Sequence, residues 1–363
     1  MDRHTGFAAG IIFIGALAIG FGLVVVGLTS DGLAVRGPAG SSSARALLDG
    51  TITAVADETV ERAHPLRAAA LAGLAVVRYV VFSETLGEAV VGREGRLFTA
   101  EEFERHAGDD DRLRERVTEI IAVAEVLRQR GAQVVVVLIP SKARMLSAYL
   151  PSRWAARAEH GRSGVAVDLL RREEILVVDL STVLMSTSGT EYFFARDTHW
   201  TPEGAAAAAE AIARAIEDAG ALTEIERQVY RRELETIEPV PGDLMSFLPV
   251  GRLRRLLGLP EEQARVYRAD APGPATGLGL FDELTIPVSL VGTSYSRDPR
   301  WGFESALKAA IAADVLNVAA EGEGPFEPMR AYLAGPTIDE VPPALVIWEI
   351  PERYLTLPEP AAR

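Results

Sequence analysis

Asp197 and His199 stand two residues apart in the segment FFARDTHWTPEGAAAAAEAIA, Phe193 to Ala213, in a chain with only five histidines. A carboxylate beside an imidazole fixes the ring's tautomer and stabilises the imidazolium that forms when the ring takes a proton. The spacing lets both side chains project from one turn, so the pair suits general-base work. Taken alone, it reads at least as readily as a loop-capping aspartate beside an interfacial histidine. What separates the two readings is whether the chain supplies a nucleophile.

A candidate comes from IPVSLVGTSYS, residues 286–296. An apolar strand ends at Gly292, which permits a tight turn, and Thr293 and Ser294 then stand at the sheet's edge. A helix follows from about Phe303. A serine so placed presents its hydroxyl near free backbone N–H groups, as a nucleophile that must also stabilise an oxyanion requires. The plain alternative is a turn serine bonded to its own backbone. Ser296 competes for the role, and Ser294 is preferred because it lies closer to the glycine. Past the next strand, EGEGPFEPM (321–329) holds Gly322 and Gly324, where no Cβ would block a backbone N–H from an oxyanion. Ser294, His199 and Asp197 together make an acyl-transfer constellation that calls for no metal and no cofactor.

These residues need elements to hold them. Thr201-Pro202-Glu203-Gly204 is a helix start, with a Thr cap, Pro at the first position and an acid in the first turn. That helix is expected over 202–218. QVVVVLIP (133–140) has the unbroken apolar character of a strand buried on both faces. It follows a helical pattern at Val117, Ile120, Ile121, Ala124 and Leu127. Further strands are expected at 175–180, 286–291, 315–319 and 344–350, and a second helix at 303–313. The alternation predicts an α/β fold, a mostly parallel sheet between helical layers with its chemistry at the carboxyl ends of the strands. Residues 222–280 break the rhythm and are expected to be an insertion of loops and short helices.

Composition narrows the field. A net charge of −14, with no basic stripe, excludes a nucleic-acid surface. With no cysteine, disulfides, thiolate catalysis and Cys-ligated zinc are excluded. Residues 7–28, FAAGIIFIGALAIGFGLVVVGL, carry no charge and would span about 33 Å as a helix, enough to cross a bilayer. An uncleaved membrane anchor is expected over 1–29, a Gly/Ser-rich tether over 30–60, and one domain over 61–363. Arg3 precedes the span and Asp31 follows it, which places the bulk of the chain outside the cytoplasm. Arg67 and Arg78 interrupt the apolar run 65–82, so a buried or surface helix is expected there rather than a second span.

The motifs DTHWTPEGA (197–205) and LVGTSYS (290–296), with VVGREGRLF (90–98), VVVVLIPSKARML (134–146) and VIWEIPERYL (346–355), resemble the AlgJ/AlgX-type alginate O-acetyltransferases. The resemblance runs from about 88 to 356. It implies an SGNH-hydrolase-like three-layer fold, with Ser294 as nucleophile, His199 as base and Asp197 as orienting acid. The order Asp-His before Ser, spaced D-x-H, matches that family rather than ordinary SGNH esterases. The resemblance also implies a polysaccharide acceptor, an acetyl donor supplied by a membrane-bound acyl-transporting partner, and an inner-membrane anchor with the domain in the periplasm. No Gly-x-Asn-Asp block is present, so the superfamily's oxyanion-hole asparagine has no counterpart. Lys142 and Arg297 are candidates to meet an anionic saccharide, and Tyr295 and Arg353 to contact substrate. Trp348, Glu349 and Arg353 fall late in the chain, where they either shape the site or pack. An esterase using the same residues and a non-catalytic polysaccharide-binding scaffold remain open beside the transferase.

Overall fold

The computed structural model describes residues 67–158, 163–185, 190–221, 227–270 and 286–358. The expected anchor and the tether lie outside them. No helix among the described residues is long and apolar enough to cross a membrane. The described residues form two compact units, 67–81 with 249–253, and those of 82–248 with those of 254–358. In the first, α1 (Arg67–Val77) runs on as a π-helical turn over Arg78–Phe82. Only Ala75 of α1 is buried, so the interrupted apolar run is a surface helix.

The second unit holds the sheet. Strands β1 (Ala89–Val91) and β2 (Leu97–Thr99) form a short hairpin. Then come α2 (Asp109–Gln129), β3 (Gln133–Ile139), α3 (Ser163–Arg172), β4 (Leu176–Asp179) and α4 (Pro202–Asp218). Strands β5 (Arg231–Val240) and β6 (Glu262–Asp270) follow. The rest is β7 (Val288–Val291), α5 (Ser294–Arg297), α6 (Phe303–Ile311), β8 (Val315–Asn317), α7 (Phe326–Ala334) and β9 (Leu345–Pro351). The main sheet has the order β4-β3-β9-β7-β8, and every pairing in it is parallel.

All five apolar runs expected as strands lie in this one sheet, because a strand covered on both faces needs apolar side chains of either parity. One parity (Val135, Val137, Leu290, Leu345, Ile347) packs with Ala205, Ala208 and Ile212 of α4 and Phe303 and Leu307 of α6. The other (Val136, Leu138, Val346, Trp348, Ile350) packs with Val117, Ile120 and Leu127 of α2, Leu170 of α3 and Met329 of α7. The result is helix, sheet, helix. Trp348 is core, with its indole N–H donated to the Pro325 carbonyl at 2.9 Å.

The region 222–280 departs from expectation. Instead of loops and short helices alone it contributes β5 and β6, an antiparallel ribbon with a register break between Leu234 and Thr236. Charged residues occupy both parities of RRELETIEPV, and most of that strand is exposed, which hides its period of two.

Candidate active site

The loop before α4 is closed like a small hairpin. Phe193 bridges Trp200, the Thr201 N–H donates to the Tyr192 carbonyl at 2.9 Å, and the Phe194 N–H donates to the His199 carbonyl at 3.2 Å. The Thr201 hydroxyl caps α4 by accepting the Gly204 N–H, and donates to the Glu191 carbonyl at 2.7 Å. Gly204 is required there, since a Cβ would lie 2.3 Å from the Tyr192 carbonyl oxygen. Asp197 and His199 therefore leave a rigid turn at the start of a helix.

Three elements far apart in sequence pin this turn. The Lys142 ammonium, just beyond β3, donates to the carbonyls of Leu97, Ala195 and Asp197 at 2.6, 3.0 and 2.9 Å. Glu262 of β6 accepts the N–H groups of Ala195 and Arg196. Asp243, in the link between β5 and β6, accepts the Thr198 N–H at 2.8 Å and donates its own N–H to Asp197 Oδ2 at 3.0 Å. The ribbon that broke the α/β rhythm is thus the turn's outer support.

Asp197 Oδ1 accepts from His199 Nδ1 at 2.6 Å and from the His199 backbone N–H at 3.0 Å. Burial pushes the Asp197 carboxyl up, but the His199 ring and the N–H groups of His199 and Asp243 outweigh it and hold the carboxyl below its ordinary value. On its far side, His199 Nε2 lies 2.8 Å from Ser294 Oγ. The imidazole is stacked on Trp301, with centroids 5.0 Å apart and planes at 21°, and tilts against Tyr295 at 4.8 Å. With both nitrogens bonded and aromatic rings beside it, the ring has one orientation.

Ser294 opens α5, directly after the turn at Gly292 and Thr293, and is half-buried. As the first helical residue, its N–H has no acceptor within the helix. A hydroxyl 2.8 Å from an imidazole whose other nitrogen faces a carboxylate can give up its proton as it attacks a carbonyl. Asp197, His199 and Asp243 also bring one ligand atom each within 4.8 Å. A cation there would compete for Asp197 oxygens that already accept three N–H groups and for a bonded ring nitrogen.

The remaining sequence candidates divide. Ser296 is buried and donates its hydroxyl to Glu349 at 2.9 Å, so it cannot stand in for Ser294. Lys142 is no saccharide contact: it is 1% exposed with all three donors on backbone carbonyls, and burial pushes its amine down to about 8. Tyr295 is also no substrate contact, because it is buried and its hydroxyl donates to the Thr198 carbonyl at 2.7 Å. Arg353 is buried as well, 3.0 Å from Glu101 and over the Tyr354 ring, and so packs rather than binds. Arg297 is exposed, at the edge of a cavity of about 380 Å³ between β6, α5 and α6. Gly322 is exposed at φ 77°, with open space where a Cβ would be. Gly324, at φ 68°, packs on the Tyr354 ring.

Sequence reasoning passed over Asp243, Glu262 and Trp301. Only Trp301 carried a local hint, an aromatic in DPRWGF a few residues past Ser294; the two acids look like any surface acid.

A three-layer fold with a parallel sheet, and a serine, an imidazole and a carboxylate joined where β7 ends and α4 begins, fits an SGNH-hydrolase-like protein. The family model described as "SGNH hydrolase-like domain, acetyltransferase AlgX" matches residues 89–352, and the chain belongs to that family. It is similar to the "Probable alginate O-acetylase AlgJ" of Pseudomonas putida, 35% identical over 315 residues, covering 86% of this chain and 81% of that protein. The protein of the same name from Pseudomonas aeruginosa is 33% identical over 351 residues, covering 93% and 88%. Among solved structures, the O-acetyltransferase domain of Pseudomonas putida AlgJ superposes with a TM-score of 0.66 at 34% identity, covering 75% of this chain and 94% of that one. The protein is an SGNH-type O-acyltransferase, an acetyltransferase by the names of these relatives.

Proposed function

We propose that the protein moves acetyl groups onto hydroxyls of an extracytoplasmic polysaccharide, alginate-like or another envelope polymer, through an acetyl-Ser294 intermediate. The observation that carries the reading is the unbroken hydrogen-bonded line from Asp197 through His199 to Ser294, at 2.6 and 2.8 Å. His199 Nε2 takes the proton of Ser294 Oγ as that oxygen attacks the donor's acetyl carbonyl. The oxyanion is held by the Ser294 N–H, with a second N–H from Gly322 or Gly324. Collapse expels the donor's leaving group, which takes the proton from His199. A sugar hydroxyl then gives its proton to His199 and attacks the acetyl-serine, and Ser294 recovers the proton as it leaves. Base and oxyanion donors each contribute ~10²–10⁴-fold to such a reaction.

The span 7–28 anchors the chain with its domain facing away from the cytoplasm, and a membrane-bound acyl-transporting partner delivers the acetyl donor. The test is to incubate the purified full-length chain with a chromogenic acetyl ester, with and without acetyl-free oligosaccharides. Acetylated sugar is expected. Acetate release alone, with sugar present, would make the protein an esterase. Ser294→Ala is expected to lose both the activity and the acyl-serine detectable by mass spectrometry. A folded Ser294→Ala protein that still acetylates polymer in cells would leave only a scaffold.

A further inference from the structure

Glu349 is a fully buried carboxylate in LVIWEIP, the central strand β9. The side-chain alternation that sends Leu345 and Ile347 to the face carrying Tyr295 and Trp301 sends Glu349 there too. An ionised group in such a place is costly unless fully bonded. Its bonds all go to one short stretch. Glu349 Oε2 accepts the Thr293 N–H at 2.7 Å and the Ser296 hydroxyl at 2.9 Å. The Thr293 hydroxyl lies 3.1 Å from both carboxylate oxygens, and its oxygen accepts the Tyr295 N–H at 3.3 Å. Residues 293, 295 and 296 are thereby tied to one carboxylate, on either side of Ser294.

Gly292 fits the same picture. A Cβ on it would lie 2.4 Å from Glu349 Oε2, so the glycine admits the carboxylate beneath the turn. Burial holds the Glu349 carboxyl above its ordinary value, and the Thr293 N–H, the Ser296 and Thr293 hydroxyls and the Arg353 charge only partly offset that rise.

We propose that Glu349 is a positioning residue for Ser294: it clamps the 292–296 turn from below, so that the serine hydroxyl meets the His199 ring and the Ser294 N–H points outward. The inference rests on the reading of Ser294 as the nucleophile. It predicts that loosening the clamp lowers the reactivity of Ser294 without weakening substrate binding. Glu349→Gln keeps the shape but turns one acceptor into a donor, leaving at least one of the turn's donors unmet. Displacing a reacting group by about 1 Å costs ~10²-fold, so kcat on a chromogenic acetyl ester should fall ~10- to 100-fold with KM within about threefold. Labelling of Ser294 by a fluorophosphonate should slow by the same factor.

Thr293→Val removes the bridging hydroxyl from the other end, and in combination with Glu349→Gln the losses in kcat should be less than additive. A folded Glu349→Gln protein with kcat and labelling rate within about threefold of the parent would overturn the proposal. Should Glu349→Gln fail to fold, Thr293→Val and Ser296→Ala decide: unchanged kcat in both overturns it, and a ~10-fold fall in either supports it. Ser294→Ala in the same assay separates the two claims. If it keeps full ester turnover, the nucleophile assignment fails. If it is inactive while the clamp variants match the parent, only the role of Glu349 fails.

Discussion

Replacing Asp197 by Asn preserves the side chain's shape and removes its charge, and the three bonds that the carboxylate accepts set the outcome. Oδ1 receives two donors, His199 Nδ1 and the His199 N–H, while Oδ2 receives the Asp243 N–H. An amide offers one acceptor and one NH₂. With its oxygen toward His199, the NH₂ faces the Asp243 N–H, and that part-buried donor loses its acceptor. With the NH₂ toward His199, the His199 N–H is orphaned, and the ring must accept at Nδ1. Nε2 then carries the proton and cannot take another from Ser294.

Either orientation leaves one donor unmet, a stability loss of ~1–3 kcal/mol. Either also removes the countercharge for the imidazolium, for which the loss in kcat/KM is about 10⁴-fold, or ~5 kcal/mol of barrier. The assay is kcat/KM on a chromogenic acetyl ester, alongside denaturant unfolding of both proteins. The parent's advantage in stability should narrow in acid. Asp197 is held below its ordinary 3.8 in the folded protein, so its contribution is complete above about pH 4 and is lost as the pH falls through the folded value. A folded Asp197→Asn protein within about tenfold of the parent in kcat/KM would refute the relay.

Lys142→Met should cost ~3–5 kcal/mol, because three carbonyls, bonded in the interior or partly so, lose their donor. Parent stability should rise from about pH 8 to 10.5, where the unfolded chain still binds the proton that the buried amine has lost. Urea unfolding across that range checks it, and an equal rise in Lys142→Met would mean that another group titrates. Trp301→Leu removes the ring stacked on His199 and should lower kcat roughly 2- to 30-fold, the range of a lost cation–π contact. Trp301→Phe should restore most of it, and equal rates in all three proteins would show that the stacking contributes nothing.

The site was legible where chemistry rests on neighbours in sequence. Asp197 and His199 share one turn, and the cap at Thr201 was visible in the order of four residues. Gly292 marked the strand end that presents Ser294. The buried strands showed because a strand covered on both faces has no polar parity to confuse the pattern. What failed to show depended on partners elsewhere. Lys142 looked fit to meet an anionic saccharide, and nothing near it in sequence announced three carbonyls from residues 97, 195 and 197. Tyr295 and Arg353 looked fit to meet substrate, and packing buried both.

From sequence alone came the strands of the main sheet, the family resemblance and the three candidate residues Asp197, His199 and Ser294, since propensity, capping and periodicity act over a few residues. Tertiary structure alone brought positions 199 and 294 to 2.8 Å, set Trp301 against the imidazole, and placed Asp243 and Glu262 behind the loop. Those contacts join residues tens of positions apart. They exist only because the sheet's buried faces and the ribbon close around one another, a condition of the whole chain that no local stretch records.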